Sequence, residues 1–114
     1  MMLTYWQVIE LHNRLVELKL CMGGLRDNNL LISAINGQNW YNDILSQYIH
    51  VAYSINAGHV FSDGNKRTTY LVLKELNKFR YFFNDNKLSD EILNLAKGNM
   101  SKEEFYNRVI RTLL

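Results

Sequence analysis

Apolar residues along this 114-residue chain recur at helical spacing and leave little room for a sheet beyond a small hairpin near residues 37–42. Val8, Leu11, Leu15 and Leu18 mark a first helix from about Tyr5 to Leu20. Thr4 opens it, with Gln7 reaching back in a capping box. Gly23-Gly24 stops it, because paired glycines favour a turn. Asp27 then N-caps a short second helix that carries Leu30, Leu31, Ala34 and Ile35 and ends at Gly37. The next five residues, Gln38 to Asn42, include two aromatics and show no period. They predict a loop that either borders a site or lays its rings over the core.

Leu45, Tyr48, Ala52 and Ile55 form the stripe of a third helix, from about Asp43 to Ala57, with Gly58 in the left-handed position after it. A fourth helix is predicted from about Lys66 to Phe82. Val72, Leu76, Phe79 and Phe83 share one of its faces, and Tyr70, Leu71, Val72 and Leu73 point in nearly every direction. A helix apolar all round belongs inside a bundle. Asn84-Asp85-Asn86 reads as a turn. Ser89, Asp90 and Glu91 open a short helix that Gly98 closes. Ser101 and Glu104 suggest a second capping box, leading into a last helix that buries Phe105, Val109, Ile110 and Leu113. The expected fold is all-α: a compact bundle of about five or six helices around a central apolar helix, in one domain over residues 1–114.

Composition narrows the classes without naming one. Thirteen basic against eleven acidic residues give a formal charge of +2, too balanced for a dedicated nucleic-acid binder. Cys21 is the only cysteine, so no disulfide framework or thiolate cluster is expected. No apolar run approaches the about 20 residues needed to span a bilayer. The N-terminus lacks a basic region leading into an apolar signal core. A cytoplasmic protein that binds no nucleic acid directly and no membrane is the expectation.

Candidate chemistry concentrates in nine residues, His59-Val60-Phe61-Ser62-Asp63-Gly64-Asn65-Lys66-Arg67. Gly64 permits a tight or left-handed turn. The first amides of the helix behind it have no intrahelical partner and attract anions, phosphate above all. Lys66 and Arg67 place two cations at that positive end, where each costs about 0.3–1 kcal/mol. Two cations there make sense if an anion occupies the site; the bland alternative is two side chains that swing into water. Asp63 offers an oxygen ligand for Mg²⁺ shared with phosphates, or simply a helix cap. His59 is a candidate base near neutral pH, or a cap for the carbonyls ending the third helix. Phe61 is expected to anchor the loop. His12 reads as a packed structural histidine, and His50 as a solvated one.

The stretch resembles the signature of the Fic/Doc superfamily, His-x-Phe-x-(Asp or Asn)-(Gly or Ala)-Asn-x-Arg. Lys66 resembles the death-on-curing (Doc) branch, where adenylyl-transferring Fic enzymes carry glycine. Gly23-Gly24-Leu25-Arg26-Asp27, Leu30-Leu31, Ser33-Ala34-Ile35 and His12 extend the likeness upstream. Val60, where many Fic motifs have proline, and Gly64, where Doc often has alanine, depart from the pattern.

The resemblance implies a toxin of a toxin–antitoxin pair, a kinase that moves the γ-phosphate of ATP to a threonine of elongation factor Tu and arrests translation. It makes His59 the general base, Asp63 the Mg²⁺ ligand, and Gly64, Asn65, Lys66 and Arg67 the nucleotide phosphate site, with Lys66 and Arg67 also stabilising transition-state charge. The inhibitory pattern Ser/Thr-x-x-x-Glu-(Gly or Asn) is absent from the sequence. Restraint is therefore expected from a Phd-like antitoxin whose helix docks in an apolar groove. AMP transfer, favoured by Gly64, and a binding module without turnover are the alternatives.

Overall fold

The computed structural model describes residues 2–114. Six α-helices follow one another: α1 (Tyr5–Glu17), α2 (Asn28–Gly37), α3 (Ile44–Gly58), α4 (Asn65–Lys74), α5 (Asp85–Ala96) and α6 (Lys102–Ile110). No strand forms among the described residues; Leu25 with Phe61 and Phe83 with Leu113 make isolated antiparallel bridges. Near residues 37–42, where the sequence left room for at most a small hairpin, the chain forms a 3₁₀ turn, Gln38–Trp40. Gln38 accounts for it: the buried amide accepts from the Leu3 amide and donates to the Leu3 carbonyl, both at 2.9 Å. Trp40 points into solvent, 89% exposed, so its ring does not cover the core.

Most helices start where a side chain can satisfy the first amides. Thr4 caps α1 in a full capping box, and Asp27 and Asp43 cap α2 and α3. Ser101 caps α6, but Glu104 turns its carboxylate to Arg108 instead of completing a box. Asn84 caps α5, which begins at Asp85, before the expected start at Ser89. Asn is both a turn former and a good N-cap, so the same residues serve the earlier start.

Helix ends differ more from expectation. Left-handed residues that are not glycine end three of the segments, at Lys19, His59 and Arg80, while Gly98 follows α5 at φ 96° as expected. After α1, Lys19 and Leu20 donate to Val16 and Leu15, a Schellman closure. This ends the helix before Leu18, which is 68% exposed. The expected fourth helix also breaks early: α4 stops at Lys74, and Glu75–Phe79 continues as 3₁₀ helix. Gly58 is the last residue of α3. A Cβ there would meet the tip of the Leu30 side chain from α2, which would have to turn aside.

The core runs through the pair α3–α4. α3 packs against α2, α4, α5 and α6, and α4 packs against α1, α3 and α5. Ile55 of α3 and Val72 and Leu73 of α4 are fully buried, each contributing about 1.5–3 kcal/mol. This places the rigid centre of the bundle on both sides of the loop that joins the two helices. His50, expected in solvent, is half-buried: its Nδ1 lies 3.1 Å from Lys102 Nζ. Burial, then the Lys102 charge, pushes its pKa down.

Candidate active site

The loop from His59 to Gly64 is clamped from three directions. From the Gly23–Asp27 segment, the Arg26 and Asp27 amides donate to the Val60 carbonyl at 2.8 and 2.9 Å, and Ser62 donates to Gly24 at 3.0 Å. From within, the Asn65 carboxamide closes on Phe61, accepting its N–H at 2.9 Å and donating to its carbonyl at 2.8 Å. From α1, His12 stacks on the Phe61 ring at 3.8 Å with planes 4° apart. Its Nε2 lies 2.9 Å from the Asp63 carbonyl; a carbonyl only accepts, so Nε2 carries the proton. Val60 and Phe61 are buried beneath, and Phe61 anchors the loop as expected.

His59 sits at φ 50°, ψ 59°, turning the chain sharply out of α3. A left-handed non-glycine residue costs about 1–2 kcal/mol, so the clamp must offset it. Arg26 contributes directly: its guanidinium donates to the His59 carbonyl at 2.8 Å and the Gly58 carbonyl at 2.9 Å. The capping role open to the imidazole is therefore filled by Arg26. The His59 ring is exposed and makes no hydrogen bond among the described residues.

Asp63 is also exposed, yet fixed. One carboxylate oxygen accepts from the Met22 amide at 2.8 Å and the other from Gly64 at 2.9 Å. Those two bonds hold its pKa below the usual carboxylate range, with smaller help from His12 and Lys66. Gly64 has φ 80°, and a Cβ there would lie 2.7 Å from Cys21 Sγ. Conformation and space both demand glycine. The residue that leaned towards AMP transfer is thus explained by its neighbour Cys21.

At the start of α4, Gly64 provides no side-chain cap. The first bond into the helix runs from Thr68 N to Gly64 O at 2.9 Å, and the amides of Asn65, Lys66 and Arg67 have no partner among the described residues. Lys66 and Arg67 are exposed and form no ion pair there. They border a groove of about 450 Å³ between α4 and α5, whose walls include Leu71, Ile92 and Leu93. His59 borders a different hollow, where the ends of α3 and α5 meet. The motif residues therefore share one rigid loop but open onto different sides of it. Asn65 separates its roles: the side chain holds the loop, and only its amide remains for a ligand.

Mg²⁺ can be tested against these residues. No group of three or more His, Cys, Asp or Glu residues gathers among the described residues, so a closed protein cage is not formed. Asp63 is ionised, exposed and oriented, and each oxygen keeps a lone pair beyond its amide bond. That fits a cation that takes one or two carboxylates and draws the rest from phosphates and water.

Sequence reasoning missed Arg26 and Cys21 as parts of this site. Their partners lie more than thirty positions away, so no local periodicity reports them. Arg26 stood within the quoted Gly23–Asp27 segment, which was the one available signal.

A helical bundle with a histidine, an ionised carboxylate and an uncapped cationic helix start on one clamped loop defines the structural class. The chain belongs to the Fic/DOC family, whose model matches residues 2–76 and so takes in α1 to α4 with the whole motif. The family carries nucleotidyl and phosphoryl transfer in general. Comparison with curated proteins gave no match. No helix is long and apolar enough to cross a membrane among the described residues.

Proposed function

We propose that the chain is a Doc-like toxin acting in the cytoplasm: a kinase that transfers the γ-phosphate of ATP to a protein hydroxyl, a threonine of elongation factor Tu. The observation that carries this reading is the start of α4, where three free amides and two unpaired cations stand beside an ionised Asp63. That is a phosphate cradle by charge and by geometry. The amides of Asn65, Lys66 and Arg67 hold phosphate oxygens, and the cations oppose charge that builds during transfer. Mg²⁺ held by Asp63 would neutralise part of the phosphate charge when bound.

His59 takes the proton of the acceptor hydroxyl as its oxygen attacks the γ-phosphorus. The bond from phosphorus to the bridging oxygen breaks, and ADP leaves. An imidazole free of structural bonds supports this role over a module that only binds. Lys66 supports γ-transfer over AMP transfer: it fills room that a glycine would leave and moves positive charge outward. With Gly64 explained by Cys21, the sequence no longer offers a residue that argues the other way.

A Phd-like antitoxin is the proposed partner. Leu71, Ile92 and the exposed Leu93 line the α4–α5 groove beside Lys66 and Arg67. An apolar helix carrying an acid at one end would cover the apolar walls and mask both cations.

ATP labelled at the γ- or the α-phosphate, added with the purified chain to a cell lysate, tests the reading. Protein-bound label from the γ-position alone is expected. Label retained only from the α-position would establish AMP transfer and overturn the kinase assignment.

A further inference from the structure

The motif loop and the segment that clamps it run antiparallel. Met22 donates its amide to Asp63 at 2.8 Å, Ser62 donates to Gly24 at 3.0 Å, and Arg26 and Asp27 donate to Val60. Leu25 and Phe61 form an antiparallel bridge between these contacts. Arg26 therefore stands at the His59 end of the loop and Met22 at the Asp63 end. Each end opens onto its own hollow: His59 borders one between the ends of α3 and α5, and Asp63 borders another, of about 420 Å³, beside the end of α1.

Val16, Leu20 and Met22 line the second hollow, and Lys19 is the one cation on its wall among the described residues. Leu20 is 46% and Met22 74% exposed, so apolar surface stands in water directly beside a carboxylate, the mark of a binding surface. The segment that presents it is fixed to the phosphate cradle at two points. Met22 is held by its bond to Asp63. Cys21 packs so close to Gly64 that no Cβ fits there, with its Sγ 3.7 Å from His12 Nε2. Size and lining match a small-molecule cleft, mostly apolar and about 300–1,000 Å³.

Direction decides the occupant. In phosphoryl transfer the attacking and leaving oxygens lie roughly in line across phosphorus. A hydroxyl delivered to His59 attacks from that end of the loop, so the leaving group extends towards the Asp63 end. If the α-phosphate sat on the cradle, the leaving group would be pyrophosphate, facing Val16, Leu20 and Met22 with a single lysine to oppose its charge. With the γ-phosphate there, the leaving group is ADP, which carries an apolar base. We propose that the hollow beside Asp63 holds the nucleoside of ATP, with adenine laid on Leu20 and Met22. The assignment rests on the reading of His59 as the base and of the start of α4 as the phosphate cradle. Met22 suits the role, because an unbranched thioether adapts to a flat ring and makes favourable contacts with it. His59 takes the hydroxyl proton as the new bond to phosphorus forms; the bond to the bridging oxygen breaks, and ADP keeps the electron pair. The apolar lining thereby sets which phosphate faces the acceptor, independently of Lys66.

The test uses the full chain, labelled with ¹⁵N and with ¹³C in its methionine and leucine methyls, in the presence of Mg²⁺. It is titrated with β,γ-imido-ATP, which keeps its γ-phosphate, and with inorganic tripolyphosphate, the phosphate part alone. Both should shift the amides of Asn65, Lys66 and Arg67. Only the nucleotide should shift the Met22 and Leu20 methyls, upfield as the face of an aromatic ring requires. Leu20→Ser with Met22→Ser should weaken the nucleotide about ten-fold, as the loss of a modest apolar contact allows, and leave tripolyphosphate binding unchanged. A nucleotide that shifts the cradle amides but not Met22, that moves the Leu71 and Leu93 methyls instead, or that binds the double variant as tightly as the parent chain would overturn the nucleoside site and leave the cradle standing. Tripolyphosphate that moved Met22 as the nucleotide does would place phosphate in the hollow and overturn the assignment likewise. If neither ligand moved the cradle amides, the transferase reading and the nucleoside site would fall together.

Discussion

α3 and α4 are consecutive helices packed on each other, and they begin in opposite ways. α3 starts from Asp43 in extended conformation, whose carboxylate accepts from the Ser46 amide at 2.8 Å. α4 starts from left-handed Gly64, has no side-chain cap, and places Lys66 and Arg67 in its first turn. The first start is built for stability: an acid satisfies an orphan amide and opposes the helix dipole. The second leaves its amides open and adds charge of the wrong sign. The four other helices also start from a side-chain cap: Thr4, Asp27, Asn84 and Ser101. The chain therefore has ordinary means of capping a helix and does not use them at α4, where the rest of the motif gathers.

The largest expected effect is on the chemistry the open start serves. His59→Ala should lower transfer by about 10²–10⁴-fold with the melting temperature unchanged, because the imidazole holds nothing in the fold. A large loss of stability would show that the ring is structural after all. Next comes the turn that permits the uncapped start. Gly64→Ala forces a Cβ against Cys21 Sγ, at a cost on the order of 1–3 kcal/mol, with about 1–2 kcal/mol more for the left-handed backbone. Adding Cys21→Ala should recover only the Sγ share of the packing part, because the Cβ of residue 21 still lies 2.9 Å away, and leave the backbone part, as read by chemical denaturation. No recovery would mean that the clash is not what excludes alanine.

Smaller effects separate the two helix starts directly. Asp43→Ala should cost about 1 kcal/mol of stability and leave transfer unaffected. Lys66→Glu should raise the stability of the free chain by about 0.3–1 kcal/mol while weakening ATP binding in calorimetry. If it destabilised the chain, the cations would not be misplaced charges awaiting an anion. The smallest effect concerns Asp63. Its folded pKa lies below the unfolded value of about 3.9, because the Met22 and Gly64 amides bond the ionised form. The contribution is complete above the unfolded pKa and is lost as pH falls through the folded one. Asp63→Asn should therefore flatten the acid limb of the stability curve and leave stability near pH 7 only modestly reduced.

Local chemistry was legible in the sequence, and distant contacts were not. Thr4, Asp27 and Ser101 announce helix starts because a cap acts within three residues. The glycines misled where a left-handed turn fell on Lys19 or His59 instead, since that choice depends on packing around the turn. Gly58 read as the left-handed cap and proved to be the last residue of α3, with His59 taking the left-handed position. At the site, the nine-residue stretch carried every group assigned a chemical role. What it lacked was the frame: His12 on the Asp63 carbonyl, Arg26 on the end of α3, and Cys21 beside Gly64.

The most direct test of the open helix start is an amide titration of the ¹⁵N-labelled chain with ATP and Mg²⁺. The account predicts saturable shifts centred on the amides of Asn65, Lys66 and Arg67, abolished in Lys66→Glu and absent at the capped start of α3. ATP that bound without moving those three amides would contradict it.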